Sequence, residues 1–61
     1  MKVTVYKNET LTDYHYDPEH KAEVIGWYTK EYWAKSLDSF KVEMADGTIV
    51  ALGALGEVKV A

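Results

Sequence analysis

The chain has 61 residues, enough for one small domain and too few for two domains or an enclosed cofactor cavity. Hydrophobic residues make up 48% of the sequence and charged residues 28%, a balance typical of a folded globular chain. The seven basic residues are all lysine and the acidic residues number ten, so the formal net charge is -3. A negative chain without arginine lacks the basic surface that nucleic-acid binding requires. We therefore expect a single domain, residues 1–61, that does not bind nucleic acid.

The residue types that are missing narrow the functional classes further. Without cysteine the chain can form neither a disulfide nor a thiolate metal site. No stretch approaches the roughly 18 apolar residues that span a bilayer, and Met1–Lys7 contains no apolar run of signal-peptide length. We expect a cytoplasmic protein that contacts no membrane and needs no cofactor. Because so short a chain buries only about 60% of its unfolded surface, a homo-oligomer is also expected.

The first part of the chain predicts a β-hairpin. Residues 2–6 alternate between polar and apolar side chains and include β-branched residues, as strands do. A two-residue loop at Asn8-Glu9 would return the chain and set Val3 opposite Tyr14. One side of this hairpin would then carry a continuous apolar row.

Residues 18–37 admit two interpretations. Asp17-Pro18-Glu19 is a typical helix start, with an N-cap, a proline at the first helical position and an acid in the first turn. One helix over 18–37, however, would scatter its aromatic residues around the axis and hold Gly26 in its interior. We favour a divided segment, with a strand from Glu23 to Thr29 and a short helix from Lys30 to Leu37.

A second hairpin and a final strand are predicted near the end of the chain. Residues 40–44 and 48–52 flank Asp46-Gly47, a dipeptide that favours a type I′ turn. Residues 57–60 alternate again and predict a short last strand. The apolar residues expected on one face of the hairpin are Phe40, Val42, Met44, Ile49 and Ala51.

The predicted fold is mainly β: a small antiparallel sheet or partly open barrel of about five strands with one short helix. The alternative is an α+β fold in which one long helix, 18–37, packs on an antiparallel sheet.

Acidic residues define a first candidate surface. Residues 8–23 contain five acids and only one lysine, so this segment can attract a basic partner over long range. The five residues of this acidic steering surface are Glu9, Asp13, Asp17, Glu19 and Glu23.

A second hypothesis places a metal or small-ligand site in the same segment. Asp13, His15 and Asp17 alternate along the predicted strand and would point the same way, with His20 close behind. Imidazoles and carboxylates suit zinc or nickel, but the spacing of the two histidines matches no specific motif. A solvated strand face explains the same pattern.

Aromatic residues define a third candidate surface. A chain of this length cannot bury both faces of a sheet, so one face of the predicted strand Glu23 to Thr29 should stay exposed as a contact. Trp27, Tyr28 and Trp33 are the expected partner-binding residues, because exposed aromatic side chains anchor many protein interfaces. No nucleophile motif, phosphate loop or paired carboxylate predicts catalysis. The sequence therefore favours a non-enzymatic, acidic protein-protein interaction module, inhibitor-like and homodimeric.

Overall fold

The computed structural model describes all of residues 1–61. Five strands form one open sheet, and every neighbouring pair is antiparallel, in the order β2-β1-β3-β4-β5. The elements are β1 Lys2–Lys7, β2 Thr10–His15, a 3-10 turn Pro18–His20, α1 Lys21–Trp33, β3 Ser39–Glu43, β4 Ile49–Ala54 and β5 Glu57–Val60. The prediction of a mainly β fold with a five-stranded antiparallel sheet and one helix is confirmed. No helix has the length and apolar content that crossing a membrane requires.

The first hairpin forms as predicted. Asn8 and Glu9 both have positive φ, 49° and 66°, as the central residues of a type I′ turn do. Val3 lies opposite Tyr14 in this register. The alternation of the sequence and the two-residue loop therefore fix the pairing of β1 with β2.

The helix connects two strands that do not touch each other. Strands β2 and β3 both pair antiparallel with β1 and flank it, so they run parallel to one another. Helix α1 makes the crossover between them, as in a split βαβ unit. It covers one face of the sheet and leaves the other face open.

The favoured interpretation of residues 23–29 as a strand is wrong, because this segment lies inside α1. The short helix predicted for 30–37 is wrong too, and the single helix of the alternative stops at Trp33 rather than at residue 37. Asp17 caps the 3-10 turn by accepting a hydrogen bond from the Glu19 amide (3.0 Å). Val24, completely buried, turns inward from the helix. Burial against the sheet thus outweighs the β propensity of the isolated segment.

The end of α1 is set by a Schellman motif. The Ser36 amide donates to the Glu31 carbonyl and the Lys35 amide to the Tyr32 carbonyl, each at 3.0 Å. Lys35 takes the left-handed conformation (φ 63°) that glycine usually supplies at this position. Without that glycine the sequence gives no clear signal for the end of the helix.

The second hairpin differs from its prediction in the turn. Asp46 does not share the positive φ of Gly47 (89°), so the turn is not type I′. The loop instead spans three residues, and its Gly47 amide donates to the Met44 carbonyl (2.9 Å). The Asp46 carboxylate accepts from the Thr48 amide (2.9 Å), which fixes the local turn and lowers the pKa of that carboxyl.

A bulge follows this turn and changes which side chains reach the core. Val42 pairs with Ala51 but Glu43 pairs with Ile49, so β4 contains an extra residue. Val50 is buried as a result, whereas Ile49 is 47% exposed. The prediction that Ile49 lines the core face is therefore wrong.

The core lies between α1 and the covered face of the sheet. Phe40 is its largest fully buried side chain. The buried residues are Val3, Val5, Val24, Leu37, Phe40, Val42, Val50 and Ala51.

Candidate functional site

The sheet ends in two unpaired strands, β2 on one side and β5 on the other. An edge strand presents backbone N–H and C=O groups that have no partner within the molecule. Each edge of this sheet also lies near exposed apolar side chains. These two edges are the candidate interaction sites.

The hydrogen-bond pattern shows which residues of β2 have backbone N–H and C=O groups without a partner. The Tyr16 amide donates to the Met1 carbonyl (2.9 Å) and the Met1 ammonium group donates to the Tyr16 carbonyl (3.0 Å). Because hydrogen-bonded pairs alternate along an antiparallel ladder, Leu11, Asp13 and His15 direct their backbone groups away from β1. All six residues of β2 are exposed, so a sixth strand could add to the sheet there without displacing any residue of the chain.

An aromatic cluster lies between this edge and the helix. Trp27 meets the ring of Tyr16 edge-on, with 6.4 Å between centroids, and remains 53% exposed. Tyr14 is also exposed, and its ring lies 6.5 Å from that of Tyr28. We call Tyr14, Tyr16 and Trp27, together with the free edge of β2, the β2-side surface.

Tyr28 lies between the β2-side surface and the core, where it contacts both Tyr16 and Phe40. Its hydroxyl contacts the Tyr16 hydroxyl at 2.5 Å, and its ring packs 6.1 Å from the buried Phe40. Burial, and then the hydrogen bond to Tyr16, raise the pKa of the Tyr28 phenol above its ordinary value. Tyr28 is half-buried and holds Tyr16 in place, so it offers a partner little free surface.

The predicted acidic residues are all exposed and lie around the β2 edge. Glu9 stands in the turn before β2, and Asp13 accepts a hydrogen bond from the Thr4 hydroxyl on the open face (2.9 Å). Asp17, Glu19 and Glu23 occupy the start of the helical segment beyond β2. Negative charge therefore borders the β2-side surface at both ends and along its open face.

The residues of the metal hypothesis are not brought together. Asp13 and His15 lie on the open face of β2, whereas Asp17 caps the 3-10 turn. His20 faces Glu23, with 3.8 Å between Nδ1 and Oε1. No three His, Asp or Glu side chains are close enough together to hold a metal ion.

Trp33 lies apart from Trp27. Six residues along a helix correspond to a rotation of about 600°, which is about 120° short of two full turns, so the two indoles flank α1 on different sides. Trp33 is 56% exposed and lines a groove with Lys35, Leu37 and Gly56, next to the turn between β4 and β5. Trp27, Tyr28 and Trp33 consequently do not form one contact patch.

The turn before the edge strand β5 is a feature that the sequence analysis missed. Leu55, in the turn before β5, is 100% exposed and has a positive φ of 54°. A left-handed conformation costs an ordinary residue about 1–2 kcal/mol, and this turn position favours asparagine or aspartate. In the sequence, Leu55-Gly56 could have indicated this turn, because its glycine fits the second position of a type I′ turn, although leucine stands where asparagine or aspartate is usual.

Comparison with protein-family models, with curated proteins and with solved structures finds no match to this chain. Function is therefore inferred from the geometry of the two sheet edges.

Proposed function

We propose that the chain is a non-enzymatic protein-binding module, a small acidic or inhibitor-like protein whose binding site is the β2-side surface. The observation that carries this proposal is the position of Trp27, half-exposed beside an unpaired and fully exposed strand. Tryptophan and tyrosine dominate the binding energy of many interfaces because they bury large areas at low entropic cost. The proposal includes self-association into a homodimer and the cytoplasmic location expected from the sequence.

The partner that fits is an extended, basic segment of another protein. The free backbone groups at Leu11, Asp13 and His15 can pair with an added strand, which is a common way to bind a peptide. An added strand would also lie beside Tyr14 and Trp27, which gives its apolar side chains a contact. Backbone pairing supplies general affinity, and the aromatic side chains supply selectivity.

The charge of the partner follows from the residues around the edge. Four acids and no lysine occupy residues 9–19, so a positive strand is attracted and a negative one is repelled. These carboxylates are exposed and screened by salt, so they affect the association rate and its salt dependence more than the final affinity.

A peptide-binding experiment tests this proposal. The probe is an extended peptide of alternating lysine and valine, compared with the same peptide carrying glutamate in place of lysine. We expect the lysine peptide to bind more tightly than the glutamate peptide, and its affinity to fall as the salt concentration rises. Its affinity for Trp27→Ala should be at least about tenfold lower than for the unmodified chain, in line with a loss of about 2 kcal/mol for an interface anchor. Trp33→Ala is the matched control, since it removes an equally exposed indole from the other side of α1.

Two results would contradict the proposal. Equal loss of binding in both tryptophan variants would show that the peptide does not bind specifically at Trp27. Equal binding of both peptides would show that the acidic residues do not select for positive charge. Circular dichroism of Trp27→Ala checks that the variant stays folded, as expected for a side chain that is 53% exposed.

A further inference from the structure

We infer that a second copy of this chain binds at the β5 edge, so that two sheets join into one through antiparallel pairing of β5 with β5. This inference rests on the self-association included in the proposed function and names the surface that carries it. It follows from three observations: the direction of the free backbone groups, the order of charges along β5, and the exposed Leu55.

The free backbone groups of β5 belong to alternate residues. The Ala61 amide donates to the Val50 carbonyl (3.0 Å), so Glu57, Lys59 and Ala61 direct their backbone groups toward β4. Val58 and Val60 therefore direct theirs away from the sheet. The two-fold registers that pair the free groups of Val58 are centred on Glu57, Val58 or Lys59, and they set Val58 opposite Gly56, Val58 or Val60 of the other copy.

Charge selects one of these three registers. In the register centred on Glu57, the two Glu57 carboxylates lie opposite each other. In the register centred on Lys59, the two Lys59 ammonium groups do, and like charges in opposite positions are unfavourable in both cases. Centring on Val58 sets Glu57 opposite the Lys59 of the other copy, twice. These two residues form a non-hydrogen-bonded pair, in which the Cα atoms approach to about 4.5 Å and the side chains are closest.

The register centred on Val58 also brings the exposed Leu55 next to apolar residues of the other copy. Val60 lies opposite Gly56 of the other copy, and Ala61 lies opposite Leu55. Residues 60 and 61 belong to an apolar groove of about 270 Å³ whose lining also includes Ile49. Each exposed Leu55 thus lies beside the groove of the other molecule.

The β2 edge is unsuited to the same pairing. Residues 9–19 carry four acids and no lysine, so two copies would bring eight negative charges together along one seam. Strand β5 carries one acid and one lysine and is neutral. The charge distribution therefore assigns self-association to β5 and leaves β2 for a basic partner.

Charge-reversal variants test the register, with the dissociation constant measured by sedimentation equilibrium at low salt. Glu57→Lys alone, or Lys59→Glu alone, places like charges opposite each other at two positions and should weaken the dimer at least about tenfold. The double variant E57K/K59E restores opposite charges and should return the constant to within about threefold of the unmodified chain. Glu9→Lys, a charge reversal in the turn before β2, is the matched control and should not weaken the dimer.

A backbone variant tests the same edge without changing charge. Val60→Pro removes an N–H that bonds nothing within the monomer but would meet the Gly56 carbonyl of the other copy. It should leave the circular dichroism spectrum unchanged and abolish the dimer, whereas Val60→Ala should retain it.

Failure of this inference is distinguishable from failure of the proposed function. A monomer at high micromolar concentration would overturn both the inference and the proposed self-association, but not the binding of the lysine peptide. A dimer that survives Glu57→Lys and Val60→Pro, or one that the double variant fails to restore, would overturn the β5 surface alone.

Discussion

Two glycine-to-alanine substitutions with opposite expected signs test the packing of the core. A Cβ atom at Gly53 would overlap the ring of Phe40, whose Cδ1 atom would be only 2.7 Å away. That ring is 1% exposed and has Tyr28 and Tyr32 each at 6.1 Å, so it has little room to move. Overpacking of this kind costs about 1–3 kcal/mol, and the lower chain entropy of unfolded alanine offsets about 0.4–1 kcal/mol of it. We expect Gly53→Ala to destabilise the fold by about 1–2 kcal/mol.

Gly26→Ala is the matched control. Apart from the neighbouring residues and backbone of its own helix, no atom lies within 4 Å of a Cβ at this interior position, so the substitution should stabilise the fold by about 0.5–1 kcal/mol. Urea denaturation at one fixed protein concentration measures both changes, because the stability of a dimer depends on concentration. A change of 1 kcal/mol corresponds to about 4–8 °C in melting temperature for a domain of this size. A Gly53→Ala variant as stable as the unmodified chain would contradict the predicted clash with Phe40. A stability change of the same sign in both variants would contradict it as well.

Two further predictions concern the phenol cluster and the strained turn. Because burial and the bond to Tyr16 raise the pKa of Tyr28 in the folded state, the unfolded chain releases this proton first as pH rises past the ordinary value of 10.0. The free energy of unfolding should therefore fall above pH 10, and less steeply in Tyr28→Phe; equal slopes in urea melts at pH 9 to 12 would contradict this. Leu55→Asn places a residue that tolerates positive φ in the turn, so the monomer should melt at a higher temperature while the dimer dissociates more readily. Dilute thermal melts and sedimentation separate the two effects, and a less stable monomer or a tighter dimer would count against the assignment of Leu55.

The sequence predicted the parts of the fold that local chemistry determines. The pairing of β1 with β2 follows from the alternation of polar and apolar side chains and from the two-residue loop Asn8-Glu9. Both signals lie within the first 16 residues of the chain. The Asp46-Gly47 turn was assigned the wrong type, since the Asp46 side chain binds the Thr48 amide and stabilises a longer loop. The bulge beside this turn adds a residue to β4, so Val50 is buried in place of Ile49, and no local pattern in the sequence indicates this.

The helix could not be assigned locally because its stability comes from the sheet. Val24, Tyr28 and Tyr32, spaced four residues apart, lie on the side that packs on the core, and this stripe is visible in the sequence. Trp27 and Trp33 lie off the stripe and made a helix appear unsuitable. Their exposure was the informative feature: the residues that disagree with the helical pattern are those that the fold leaves free.

The two proposed interactions can occur in the same assembly. Strands β2 and β5 form opposite edges of the sheet, with β1, β3 and β4 between them, so pairing at β5 covers neither Trp27 nor the free edge of β2. A dimer joined through β5 would expose two β2-side surfaces, one at each end of a continuous ten-stranded sheet. A partner that repeats its basic strand could then bind both ends, and linking the two events raises the overall affinity without any new contact. Such a partner should lose this gain with Glu57→Lys, which separates the two copies and leaves each β2-side surface intact.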